Sequence, residues 1–278
     1  MAPDLELYAG AGSASERTLL VDGELRTYRL FVPASAEPGR PVPVVFNFHG
    51  LGSSAREQEL YSQLVPLAER EGFVLVSPQG VGEPARWRGA GISQEDGVEG
   101  PDVRFFDRLL EFLADRLCLN PQRVYVTGMS NGAFFSSVLA CYRPDVVAAA
   151  APVAGVYFPP GGCRGPVPLL AVHGRLDQVV PYGAGLIFGV IPYRGAEAYV
   201  AEWAEQNGCR ERTVRRLAPH VLELRYEGCA ADTALLAIED GGHTWPGSAE
   251  VPRLGPTNQE VSAAELIWEF FERHPRSP

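Results

Sequence analysis

Lysine is absent from this chain, so all 24 basic residues are arginine, and 34 aspartates and glutamates outnumber them. The formal charge of −10 repels a phosphate backbone, and no basic run reverses it locally. Nucleic acid is therefore not an expected partner. Long apolar runs are missing too. The longest nearly polar-free stretch, Val146 to Phe158, is broken by Pro152 and Gly155. It falls short of the roughly 20 residues that a bilayer-spanning helix needs, so no membrane partner is expected either. Neither C-x2-C nor H-x3-H spacing occurs, and the five cysteines (Cys118, Cys141, Cys163, Cys209, Cys229) are dispersed. That pattern excludes a zinc site, and nothing else calls for a metal or another cofactor. The amino terminus, Met-Ala-Pro-Asp-Leu-Glu, lacks a basic segment followed by an apolar one. Such a start fits either a cytosolic protein or one whose export signal has been removed.

What is present is a chain of 278 residues, 46% apolar and 21% charged, enough to bury a large core. Arg17 to Val21 and Arg26 to Val32 alternate as strands around the hairpin signal Asp22-Gly23. From Val42 the pattern changes to short continuous apolar runs: Val42 to Phe48, Phe73 to Ser77, Arg123 to Thr127, Val147 to Val153 and Pro168 to Val172. Runs of this kind suit strands buried on both faces. Between them, Ala55 to Glu71, Val103 to Leu119 and Asn131 to Tyr142 have helical spacing. Two later strands, Val221 to Tyr226 and Ala234 to Ile238, precede a last helix at Val261 to Arg273. The expectation is an α/β fold, a mostly parallel sheet with helices on both faces and an antiparallel N-terminal edge. With no linker, repeat or low-complexity tract, residues 1–278 are expected to form one domain acting as a monomer.

Gly128-Met129-Ser130-Asn131-Gly132 matches G-x-S-x-G. With 30 glycines in the chain, the string matters chiefly for where it sits: directly after a strand and directly before a helix. A turn that tight needs small residues two before and two after the serine. It lifts the hydroxyl clear of the sheet and aims a helix N-terminus at the reacting oxygen. The plainer alternative makes Ser130 a helix N-cap. A serine nucleophile needs a neutral base, and His243, on the loop after the strand Ala234 to Ile238, is placed for it. His49 and His173 read better as loop-shaping residues, His220 falls in a turn and His274 in the tail. The third member should be a carboxylate lying between serine and histidine in sequence, and Asp177, after the strand Pro168 to Val172, satisfies this. Asp240 is the main competitor, but only three residues from His243 it has little freedom to approach from behind. Asp145 belongs at the opposite sheet edge. For the oxyanion, the Gly-rich loop after the first core strand offers the amide of Leu51, to pair with that of Asn131.

His49-Gly50-Leu51-Gly52, Gly128-Met129-Ser130-Asn131-Gly132-Ala133, Ala151-Pro152-Val153-Ala154-Gly155, His173-Gly174 with Asp177, Asn207-Gly208-Cys209 and Gly241-Gly242-His243-Thr244-Trp245-Pro246-Gly247 carry a family likeness. Together they resemble the esterases grouped with extracellular polyhydroxybutyrate depolymerases and with feruloyl or acetyl xylan esterases. The likeness runs from about Arg17 to Phe271. It implies an α/β-hydrolase with Ser130, Asp177 and His243 as its triad, acting on small, polyester or polysaccharide esters, and it implies secretion or a periplasmic location. Gly185 to Arg194 departs from the pattern by being richer in apolar residues, so substrate contacts there are not carried over.

Trp87 and Trp245 are candidates to stack on an aromatic acyl group or a sugar ring, or else to anchor the fold. Glu95, Asp96, Glu99 and Asp102 would either hold calcium or form a solvated loop face. An acyltransferase using the same triad and a binding protein on a hydrolase fold are the competing functions; no triad member is missing, as the second would require. Cys209 and Cys229 are centred on Pro219, so a hairpin turning there places them opposite each other at disulfide distance. Cys141 with Cys163 would pin the Gly/Pro-rich loop, leaving Cys118 free. Such pairs fit an oxidising compartment.

Overall fold

The computed structural model describes residues 5–89 and 100–277. Its first elements are α1 (Leu5–Ala9), β1 (Ser15–Val21), β2 (Glu24–Phe31), β3 (Val42–Phe48), α2 (Ala55–Ser62), α3 (Leu64–Glu71), β4 (Val74–Pro78), α4 (Pro101–Ala114), β5 (Leu119–Met129), α5 (Asn131–Tyr142), β6 (Ala149–Val153) and β7 (Leu169–Gly174). There follow β8 (Gly185–Ile187), β9 (Ile191–Tyr193), α6 (Ala196–Gln206), β10 (Glu211–Ala218), β11 (Val221–Glu227), β12 (Thr233–Ile238), a 3-10 turn at Pro252–Leu254 and α7 (Ala263–Arg273). Among the described residues no helix is long and apolar enough to cross a membrane.

Ten strands make one sheet in the order β1-β2-β4-β3-β5-β6-β7-β12-β11-β10. From β4 to β12 the neighbours are parallel, and both flanks are antiparallel. The continuous apolar runs explain the centre, because successive side chains of one strand feed two cores. Val44, Phe46 and Phe48 join the core under α4, α5 and α6, whereas Val45 and Tyr125 join the one under α3 and α7. On that second face Tyr125 stacks on Phe271 with ring centroids 4.6 Å apart, and Phe73 on Trp268 at 4.3 Å. This is the α/β sheet with an antiparallel N-terminal edge expected from the pattern. The chain winds one way from β3 to β4 and the other way to β5. The crevice beyond the carboxyl ends of β3 and β5 is thus a topological switch point, where such sheets place their ligands.

Several elements differ from the pattern reading. Ala55 to Glu71 is two helices, not one: Gln63 takes φ 57° between them. Pro66 would lack the N–H owed to Ser62 in a continuous helix, so the chain restarts. The helix placed at Val103 to Leu119 ends at Ala114, and Leu119 is already paired with Val42. Finally α6, which buries Tyr199, Val200 and Trp203, and the small hairpin of β8 and β9 are additions. The α6 helix is preceded by Gly195 at φ 100° with no side-chain cap, so its start carries no polar signal.

Both expected disulfides are present, Cys141–Cys163 and Cys209–Cys229, and Cys118 is free. The hairpin of β10 and β11 pairs Glu211 with Glu227, and that register carries on to Cys209 and Cys229, whose Cα atoms lie 3.9 Å apart. Closing the loop between them, with a sequence separation of 20, removes denatured-state entropy worth about 3 kcal/mol. Replacing both cysteines by serine should therefore lower unfolding free energy by about that amount, read from urea unfolding curves with midpoint and slope both fitted. An unchanged unfolding free energy would mean that the staple does not constrain the unfolded chain.

Candidate active site

Ser130 joins β5 to α5 at φ 57° and ψ −118°, a conformation that non-glycine residues rarely adopt. It is held there from both sides: its N–H donates to Val153 O at 2.9 Å, and its carbonyl accepts from Ala133 and Phe134. Its side chain makes no capping bond, so the hydroxyl is not spent on the helix end. The flanking glycines leave no room for anything larger. A Cβ on Gly128 would lie 2.5 Å from Phe48 O, and one on Gly132 only 2.7 Å from His49 O. The elbow is pressed backbone against backbone onto the end of β3.

The loop after β3 is fixed by His49. Gly80 N–H donates to its Nε2 at 2.9 Å, so Nδ1 carries the hydrogen and donates to Gly50 O at 2.7 Å. Burial lowers the imidazole pKa and keeps it neutral, only partly opposed by the bond to Gly50. A trans peptide points its N–H opposite its carbonyl, so the Leu51 N–H is turned away from the imidazole. Gly50 meanwhile packs on the serine: a Cβ there would sit 3.4 Å from Ser130 Cβ and 4.0 Å from its Oγ. As the first helical residue of α5, Asn131 has no intrahelical acceptor for its own N–H.

Asp177 and His243 come from the ends of β7 and β12, and these two loops are interlocked. Arg175 N–H donates to Ile238 O and Leu176 N–H to Gly241 O, each at 2.8 Å, and a Cβ on Gly174 would collide with the carbonyls of Gly241 and Gly242. The result is a contact of 2.7 Å between His243 Nδ1 and Asp177 Oδ2, with the two residues 4% and 6% exposed. The other carboxylate oxygen accepts from the N–H groups of Val179 and Val180, both at 2.8 Å. Burial alone would raise the Asp177 pKa. Hydrogen bonds from His173 and His243, with the charge those rings carry when protonated, overcome it and hold the carboxyl at about 2. Asp240, the competing acid, instead accepts from Asn258 Nδ2 at 2.8 Å.

His173 is more than the loop-shaping residue that its sequence position suggests. Its Nε2 faces Val180 O at 2.9 Å, which requires a hydrogen on that nitrogen, and the same nitrogen lies 3.3 Å from Asp177 Oδ2. The carboxylate is thus flanked by two imidazoles. The sequence signal was present as His173 and Asp177 four residues apart, but nothing in that spacing fixes which way the ring faces.

Ser130 and His243 open onto one cleft of about 400 Å3, walled by Leu51, Leu60, Tyr61, Met129 and Val251 among others. Neither tryptophan joins that wall. The Trp87 ring is buried against Phe135 at 5.1 Å, its indole N–H donates to His49 O, and its backbone N–H to Asn131 Oδ1. It clamps the elbow to the loop after β3. Trp245, 1% exposed, belongs to the core under α7. Both are anchors here, because a buried ring offers no face for stacking. Asp102 is likewise buried, in the first turn of α4, with Arg26 at 2.8 Å and Arg88 at 3.2 Å, so it belongs neither to a solvated loop face nor to a calcium site. Glu95, Asp96 and Glu99 lie outside the described residues, among which no cluster suits a metal ion.

The mixed sheet, the elbow at a switch point and the two interlocked loops define an α/β-hydrolase of the esterase class. Residues 26–164 match the family described as Esterase PHB depolymerase, and the chain belongs to that family. It is 30% identical, over 93% of its length and 83% of the relative's, to NocK of Nocardia uniformis subsp. tsuyamanensis, whose name marks it provisionally as an esterase. Feruloyl esterase D of Neurospora crassa is 28% identical over 92% of this chain and 84% of its own. The solved acetyl xylan esterase of Aspergillus awamori superposes with a TM-score of 0.69 at 14% identity, covering 94% of this chain and 99% of the other.

The Asp177 carboxyl, depressed to about 2 from 3.8, makes the acid limb of stability testable. A carboxylate held below its unfolded value stabilises the fold above about pH 4, and that contribution is lost as pH falls through about 2. Asp177→Asn should show a shallower loss of unfolding free energy between pH 5 and 2 than the unsubstituted protein, measured by urea titration. Parallel curves would contradict the assignment.

Proposed function

We propose that this esterase works through an acyl-enzyme on Ser130. His243 serves as the general base, and Asp177 fixes its tautomer. The observation that carries the reading is a serine forced to positive φ with an uncommitted hydroxyl, sharing a cleft with a histidine whose other nitrogen is tied to a buried carboxylate. With Nδ1–H donated to Asp177, the Nε2 lone pair is left to take the Ser130 proton as Oγ attacks the ester carbonyl. Negative charge then develops on the carbonyl oxygen, where the amides of Leu51 and Asn131 would receive it. Both are fixed before reaction, so they cost no reorganisation. His243 returns the proton to the leaving alcohol. Water, activated by the same imidazole, then cleaves the acyl-enzyme and releases the acid.

The apolar wall of Leu51, Leu60 and Met129 gives room for an acyl part larger than acetyl. Feruloyl and hydroxyalkanoate esters are the substrates this favours among those that the relatives' names suggest. Two disulfides support action outside a reducing cytosol, with the chain working as one catalytic domain.

A panel of acetyl, butyryl, feruloyl and hydroxybutyrate esters, assayed with Ser130→Ala and His243→Ala, tests the reading. Each variant should fall below about 1% of the unsubstituted rate on every ester, because members of a unit are lost together. Melting temperatures should shift by only a few degrees. Hydrolysis above that level in pure Ser130→Ala protein would sink the acyl-enzyme mechanism.

A further inference from the structure

The cleft holds one feature that ester hydrolysis itself does not use. Arg253 lines it together with Ser130 and His243, yet makes no hydrogen bond or ion pair with any described residue. Arg26, Arg29, Arg143 and Arg216 all sit within 3 Å of a carboxylate oxygen; the side chains of Arg56 and Arg210 are as unpartnered as that of Arg253, but neither lines the cleft.

Its position is built. Arg253 is the middle residue of the 3-10 turn at Pro252–Leu254, closed by Leu254 N–H to Val251 O at 2.8 Å. Leu254 O accepts the backbone N–H of His243 at 2.7 Å, and Pro256 O that of Gly242 at the same distance. The root of the guanidinium is thus pinned one residue from the group that holds the base. The other formal charge on the wall, Glu57, accepts from Ser53 Oγ at 2.8 Å in the first turn of α2. Leu51, Leu60, Met129, Val251 and Leu254 line the same cleft, and Arg253 itself is exposed to solvent.

We infer that Arg253 forms a carboxylate subsite. On this account the enzyme favours esters whose acyl or alcohol part ends in a free carboxylate over neutral esters of the same length. This deepens the Ser130 reading and rests on it. A carboxylate approaching a chain of net charge −10 is repelled. A cation lining the same cleft as the serine offsets this locally, and a guanidinium can hold both oxygens with parallel N–H donors. Because Arg253 is exposed to solvent, water and salt screen the pair, which makes it sensitive to ionic strength. Hydroxyacid oligomers with a free acid end carry such a group. Feruloyl and acetyl esters of neutral sugars do not, so the subsite separates the substrate classes that the fold leaves together.

The test compares 4-nitrophenyl hydrogen glutarate with 4-nitrophenyl pentanoate, esters of similar length that differ in a terminal carboxylate or methyl. The ratio of their kcat/KM values, charged over neutral, should fall by about threefold to fivefold in Arg253→Gln, through KM. It should be partly restored in Arg253→Lys, and in the unsubstituted enzyme it should shrink as salt is raised from 0.02 to 0.5 M. A ratio unchanged by Arg253→Gln, or insensitive to salt, would overturn the subsite. Failure of the unsubstituted enzyme to turn over either ester would instead count against the serine mechanism.

Discussion

Gly132 lies so close to the end of β3 that a single methyl group could not be added without moving one backbone or the other. The same holds for Gly128, and for Gly174 against the loop of Gly241 and Gly242. These approaches set the distances of the site. Side chains flex, but two backbones in contact do not, so the elbow is fixed against the Gly50-Leu51 peptide and the loop of Asp177 against that of His243. The strained serine follows from the first contact and the short bond between His243 and Asp177 from the second. Positive φ costs on the order of 1 to 3 kcal/mol. The hydrogen bonds to Val153, Ala133 and Phe134, and the sheet behind them, hold Ser130 in place against it.

Around this centre the polar groups serve to fix loops. His49 decides which way the Gly50-Leu51 peptide faces, Trp87 ties that loop to Asn131, and His173 approaches the same carboxylate oxygen of Asp177 as His243 does. Arginine, used to the exclusion of lysine, forms the clamp of buried Arg26 and half-buried Arg88 on Asp102, where a planar fork of donors can satisfy a desolvated carboxylate. Removing Asp102 alone would leave buried charge uncompensated, which is costlier than the pair's own net contribution. The disulfides act farther out, one joining the end of α5 to the loop before β7, the other closing the hairpin of β10 and β11.

The parallel core was legible because its strands are continuous apolar runs, and the elbow because glycine at two fixed offsets can be read from the letters alone. The hairpin disulfide was legible too, since symmetry about Pro219 is a property of spacing. What escaped depends on direction in space. Helix α6 lacks a polar start signal, and Pro66 splits a helix whose apolar spacing runs straight through it. A tryptophan near a catalytic loop reads the same whether its ring faces the cleft or the core, and both Trp87 and Trp245 face the core. His173 and Arg253 were hidden for the same reason: neither spacing nor composition states that one leans on Asp177 and that the other is left without a carboxylate.

If Ser130 is the nucleophile, its uncommitted hydroxyl should be the one that a serine-directed phosphorylating reagent finds. Treatment with diisopropyl fluorophosphate, followed by peptide mass mapping against residual activity, tests this directly. One adduct on the peptide containing Ser130, rising in proportion to lost ester hydrolysis, is the predicted result. Full inactivation with the adduct on another residue, or undiminished hydrolysis after Ser130 is fully labelled, would contradict the account.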